Sequence, residues 1–412
     1  MTSAGGNVEA AKRFAEAGRE RLVDLCGQLV AARSPQPVGD TTAPVEVVKA
    51  FLGASGLQAR IVAATPGKPN LVCSFEGAEP GPHLVLNGHL DTLNPGDAIA
   101  WSVPVFEMGR SAGRLTGLGI GNMKAGVAAL AMAFAGLHSL RSKLLGRVTL
   151  ILVADEVVFG PDGAAYLLDQ EPDLAGDLLI NAEGPGHMNL AVAEKGLLWV
   201  EVEASAASAQ GMLTGAGTSA TARLAKFIGA IDAWNDEQVA PPAAMARLAE
   251  GAGQHGLRLS ANAGTLRADG FVSQVSTRAV AQIDFRVPPG LTIEAVEARL
   301  KAEAERIGAI AVRRIKGWNP NWTAIDHPLC QAVLAASTGV RGKRALPVVR
   351  LPASDASRWR ARGIPAICYG PQAELASGID DYVFEDDVVD CVAIYMAAAL
   401  ALCGASGQHA KE

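Results

Sequence analysis

Two rhythms of apolar and polar positions run along the chain. Residues 8–32 repeat apolar side chains at helical spacing, and Ser34-Pro35-Gln36-Pro37 breaks that period, which predicts an amphipathic helix ending there. A second helix is predicted over 44–55. Short apolar runs bounded by Gly, Asn and Asp follow at 70–75, 83–86, 148–153 and 178–181, and read as strands. Helical patterns over 123–139 and 163–168 separate them. Strands alternating with helices predict an α/β domain with a mixed, largely parallel sheet flanked by helices. From residue 197 the rhythm changes. Residues 197–204 alternate as a half-buried strand, 219–233 are helical, 257–264 and 280–286 are strands, and 293–307 are helical. These predict a small α+β domain inserted at 198–309, leaving 1–197 and 310–412 as one discontinuous α/β domain. Its last segment is predicted to hold a helix over 328–337, a strand over 366–369 and a terminal helix from about 387.

Composition narrows the function classes. At 412 residues the chain suits two or three domains, and 49% hydrophobic residues exclude a disordered chain. Lys+Arg minus Asp+Glu is 36 − 42 = −6, which argues against a nucleic-acid partner, because phosphate binding needs a basic face. None of the six cysteines forms a CxxC pair, and they read as free thiols. The longest apolar runs, 125–137 and 391–403, fall short of the ~18 residues of a membrane span and read as buried helices. Residues 1–20 lack the apolar run of a signal peptide. The expectation is a cytoplasmic protein that engages neither membrane nor nucleic acid.

Candidate chemistry sits where apolar strands stop. His89 and Asp91 follow the run at 83–86, Asp155 and Glu156 follow 148–153, and Glu183 follows 178–181. In open α/β sheets ligands bind beyond the carboxyl ends of strands, so these side chains are expected to converge on one crevice. Singly, each also fits a buried histidine or a helix-capping acid; the ordered set points to a site. Gly117, Gly119 and Gly121 lack the spacing of a dinucleotide loop and read as a tight turn that brings Asn122 to the crevice.

Nine short blocks, in order, carry a family resemblance. They are Leu86-Asn-Gly-His-Leu-Asp-Thr92, Trp101 with Pro104-Val-Phe106, Gly117-Leu-Gly-Ile-Gly-Asn-Met-Lys-Ala-Gly126, Ala154-Asp-Glu156, Glu183-Gly-Pro185, Glu194-Lys-Gly196, Ser354-Asp-Ala356, Gly363-Ile-Pro-Ala366 and Tyr369-Gly-Pro371. With these the chain resembles the zinc-dependent aminoacylase and carboxypeptidase family that includes acetylornithine deacetylase, succinyl-diaminopimelate desuccinylase and glutamate carboxypeptidase. The resemblance implies a catalytic α/β domain, an inserted lid domain, and a homodimer formed through that domain. The candidates for the dimerisation strand and helix are 197–204 and 219–233.

Carried over residue by residue, the resemblance also exposes departures. The first zinc site maps to His89, Asn122 and Glu183, with Asn where the family has a bridging Asp. The second site maps to Asn122, Val157 and a late position at Ala376 or Ser377, and no histidine lies between His327 and His409. Val supplies no donor and a neutral amide is a poor bridge, so a two-zinc site is not expected. One divalent, zinc-like ion on His89 and Glu183, or none, is the expectation. His187, four residues after Glu183, reads as a surface residue. The resemblance makes Glu156 the general base and Asp91 the residue that orients His89. It makes Arg286 the partner of a substrate carboxylate, with Asn122, Gln274 and Ser377 as further substrate contacts. The oxyanion-stabilising lid position falls at Ala209 or Gln210, and Gln210 supplies the hydrogen-bond donor. The implied function is hydrolysis of an amide or related C–N bond in a small carboxylate-bearing substrate. Two other readings suit the lost ligands: a non-hydrolytic proton-transfer enzyme (lyase, isomerase or cyclase) and a carboxylate-binding pseudoenzyme.

Overall fold

The computed structural model describes residues 4–250, 253–374 and 378–404, and the chain divides into two compact units. The first comprises Met1–Val192, Thr323–Val348 and Ser354–Glu412; the second comprises Ala193–Trp322 and Val349–Ala353.

In the first unit, strands β1 (Arg60–Val62), β2 (Asn70–Glu76), β3 (Glu79–His89), β4 (Leu145–Val153) and β5 (Leu178–Asn181) form the body of a mixed sheet in the order β1-β2-β4-β3-β5. The Ala366–Cys368 strand continues it beside β5. β3 pairs parallel with both β4 and β5, and Ala366–Cys368 pairs parallel with β5. β1 with β2 and β2 with β4 are antiparallel. The buried runs of Val, Leu and Ile on these strands reflect a sheet covered on both faces. Val72, Val85, Ile151, Leu179 and Cys368 pack with Leu167 and Trp359 on one side. The helix α1 (Ala125–Ser139) is buried along almost its whole length, as its unbroken small and apolar residues require. Gly126 permits its close approach, since a Cβ there would lie 2.7 Å from the carbonyl oxygen of Ala182.

In the second unit, β6 (Gly196–Ser205), β7 (Ser260–Ala268), β8 (Arg278–Val287) and β9 (Ile310–Trp318) form an antiparallel sheet in the order β7-β8-β6-β9. One face is packed by α2 (Ala220–Asp232) and α3 (Ile293–Ile307), burying Leu198, Val200, Phe227, Phe285 and Leu300.

Several boundaries differ from expectation. The first predicted helix is two, Ala4–Ala17 and Arg19–Ala31, separated at Gly18. The chain returns to the first unit at Thr323 and not at 310, because Ile310–Trp318 pairs with β6. That strand carries Arg313, Arg314 and Lys316 on a largely exposed surface, which hid its alternation. The strand proposed for subunit pairing, 197–204, is interior, flanked by β8 and β9; the outer strands of the sheet are β7 and β9.

Candidate active site

The site grows from register. β3 pairs with β4 so that His89 lies level with Val153, and with β5 so that Asn87 lies level with Asn181. The segments just past these strands therefore leave the sheet at one level. After β4 the chain turns sharply: Asp155 adopts a left-handed conformation with φ 62°, and Lys68 Nζ holds its carboxylate at 2.5 Å. The turn presents Glu156. After β5, Asn181 Oδ1 accepts from the backbone N–H of Glu183 at 2.8 Å, while its amide donates to Asn87.

One ligand atom each from His89, Glu156 and Glu183 fall within 4.8 Å of one another, and all three residues are buried. His89 Nε2 is 3.6 Å from Glu156 Oε2 and 3.7 Å from Glu183 Oε1. Asn122 Oδ1 lies 3.0 Å from the same nitrogen. The turn before α1 delivers Asn122: Gly119 has φ 74°, and the N–H of Gly121 donates to Asp381 Oδ2 at 3.0 Å. A side chain at Gly121 would collide with that carboxylate.

Asp91 does more than orient His89. The Nδ1 of His89 meets the backbone carbonyl of Asp91 at 2.9 Å, and the carboxylate only at 3.5 Å. The carboxylate accepts instead from Gln36 Nε2 at 2.8 Å, from the N–H of Glu156 at 3.2 Å and from that of Val157 at 3.1 Å. Asp91 thus fixes both the imidazole and the turn that carries Glu156.

Electrostatics here are set by burial. Burial alone would push the His89 ring down, but the charges of Glu156, Asp91 and Glu183 overcome it and hold the ring well above its ordinary range. Burial, reinforced by Glu183, raises Glu156 well above the carboxylate range. Asp355, in the Ser354-Asp-Ala356 block, belongs to the same group. It is buried, its charge couples to His89, Glu183 and Asp91, and burial pushes it up to about 6 against the pull of Arg358 and His89. Oδ2 of Asp355 and Oε1 of Glu156 are buried without hydrogen-bond partners. Four acids thus face one imidazole, a charge imbalance that one divalent cation or shared protons would relieve. His89, Glu183 and Asn122 could offer one such cation a nitrogen and two oxygen donors, with the Glu156 carboxylate beside them. Val157 presents no donor atom, and among the described residues no other group of three His, Cys, Asp or Glu has this spacing.

Arg286, Gln210 and Gln274 belong to the second unit. Gln210 and Gln274 face each other across an isolated antiparallel bridge, supported by the N–H of Gly211 to Ser273 O at 2.7 Å, and both are exposed. Arg286 donates to Asp284 Oδ2 at 3.0 Å and keeps 26% of its side chain exposed. His187 is exposed. Ser377 and Ala376 lie outside the described residues.

The sequence model described as peptidase family M20/M25/M40 matches residues 85–401, which include His89, Asn122, Glu156 and Glu183. The chain belongs to this family. Among curated relatives, N-formyl-4-amino-5-aminomethyl-2-methylpyrimidine deformylase of Halalkalibacterium halodurans is 29% identical over 154 residues, 37% of this chain and 36% of that protein. Succinyl-diaminopimelate desuccinylase of Paracoccus denitrificans is 33% identical over 145 residues, 35% of this chain and 37% of that protein. These matches cover little more than a third of either relative. A solved structure from Bacillus subtilis, described as a dinuclear metal binding peptidase of the M20 family, superposes with a TM-score of 0.68 at 13% identity, covering 94% of this chain and 99% of that one. The M20 peptidase fold of the chain, a mixed and partly parallel sheet flanked by helices, accords with that likeness.

Proposed function

We propose that the protein hydrolyses an amide or related C–N bond in a small, carboxylate-bearing substrate, with Glu156 as general base and at most one divalent ion. The observation that carries this reading is the Glu156 carboxylate itself. It is buried, has one oxygen without a hydrogen-bond partner, and stands 3.6 Å from the imidazole of His89. Burial raises its proton affinity, so it is suited to accept a proton from water and return it to a departing amine. His89 and Glu183 would hold the ion, with Asn122 beside them. When bound, it would polarise the scissile carbonyl as a Lewis acid. Asp91 keeps the base and the imidazole in fixed relation through its bonds to the Glu156 turn. Two relatives are named for removing a succinyl and a formyl group, which supports N-acyl compounds as the first substrates to try. Arg286 is the proposed partner of the substrate carboxylate, and Gln210 and Gln274 the proposed polar contacts of the second unit.

The test is turnover of N-acyl and N-formyl amino acids by the wild-type chain and by Glu156→Gln. The variant is expected to lose about 10²- to 10⁴-fold in kcat. Unchanged turnover of every active substrate would remove Glu156 from the mechanism. The same reading makes the protein a cytoplasmic homodimer joined through the second unit. The exposed apolar side chains of Met212, Leu213, Phe271 and Val272 support it, being costly to leave in water.

A further inference from the structure

The second unit gathers three cationic side chains at one end of its sheet. The register sets Arg286 of β8 opposite Leu197 of β6 on one side and opposite Ser260 of β7 on the other. Lys195 and Arg258 each precede those partners by two residues, so all three cations meet at the same end. Lys195 is only 5% exposed, and its Nζ donates to the carbonyl oxygen of Arg258 at 2.5 Å. Its other two N–H bonds meet no acceptor among the described residues. Nε of Arg258 is likewise buried without a partner. Among the described residues the ion pair to these charges comes from Asp284, which pairs with Arg286 and also accepts from Trp199 Nε1 at 2.9 Å. Among the described residues neither Lys195 nor Arg258 has an acidic side chain at ion-pair distance. Burial, with the neighbouring Arg258 and Arg286, pushes the Lys195 ammonium down to about 8. A buried ammonium beside two guanidinium groups is costly unless an anion shares the space.

We propose that this end of the sheet binds a dianionic oxyanion group, with the Lys195 ammonium as central donor and the guanidinium groups of Arg258 and Arg286 flanking it. The site is read from the second unit alone. It rests on the amide-hydrolysis reading only in taking the dianion to be an end of the substrate, which then carries two negative charges. Lys195 and Arg258 are the residues this adds to Arg286.

Calorimetric titration of the full chain at pH 7 and low salt, with inorganic phosphate, glutarate and acetate as separate probes, tests it. Saturable binding of at least one dianion is expected, about 10-fold or more tighter than acetate. Lys195→Met should weaken that binding by about 10-fold or more, whereas Lys195→Arg, which keeps the charge, should retain most of it. Arg314→Gln, which alters an exposed pair with Glu297, should bind as wild type. Glutarate binding more tightly than phosphate would identify the group as paired carboxylates, and the reverse order as a phosphate ester. Absence of saturable dianion binding, or binding that Lys195→Met leaves unchanged in a folded protein, would overturn the proposal. Glu156→Gln should bind the dianion as wild type does, so loss of hydrolysis and loss of the anion site read out separately.

Discussion

At the scale of single residues, Asp91 and Lys124 lead to two checks. The Asp91 carboxylate takes three hydrogen bonds, two of them from the turn that carries Glu156. Asp91→Asn keeps the shape but turns one acceptor oxygen into a donor facing N–H groups. A 10- to 100-fold fall in kcat, about the loss typical of a positioning residue, is expected with the fold intact by circular dichroism. Lys124 is buried, donates to the Ala32 carbonyl at 2.7 Å, and is pushed down to about 7 by that burial. Its folded value lies below the usual 10.5, so between pH 7 and about 10 the unfolded chain binds more protons than the folded one, and stability rises with pH there. Each pH unit in that window adds at most about 1.4 kcal/mol. Lys124→Met should lack the rise, which urea unfolding at pH 7 and 9.5 would show; equal changes in both proteins would refute it.

At the scale of elements, legibility followed local chemistry. The helix Ile293–Ile307 matches its predicted bounds; in the structure Thr292 caps it through the N–H of Ala295 and Gly308 ends it with φ 83°. Thr292→Ala should lower stability by about 1 kcal/mol in chemical denaturation. The strand Ile310–Trp318 is not legible in the sequence, because an exposed edge needs no apolar alternation. The predicted first helix ran on through Gly18, since an isolated glycine does not interrupt a hydrophobic stripe. The site residues on strand ends, His89, Glu156 and Glu183, were legible for the opposite reason: a charged or imidazole side chain directly after a buried strand stands out. The engagement of Gln36 with Asp91, and the burial of Asp355 beside the same group, depend on contacts across 55 and more residues. No local pattern announces them.

At the scale of the whole molecule, the proposed single-ion site is checked by metal content. Elemental analysis of protein purified without chelator should find no more than one divalent ion per chain, and two per chain would reverse the reading of Val157 and Asn122. Light scattering should give twice the 42.5 kDa of one chain if the proposed homodimer holds, and 42.5 kDa would discard it. The placement of Ala366–Cys368 also bears on how the protein is made. That strand pairs with Leu178–Asn181 on one side and, at Cys368, with Ala191 on the other. Until some 366 residues have left the ribosome, the edge of Leu178–Asn181 has no neighbour on that side. An open edge of buried apolar character is what intermolecular strand pairing exploits. A nascent chain that pauses within the second unit therefore exposes an adhesive half-sheet, and loss of the C-terminal segment would leave that edge exposed for good.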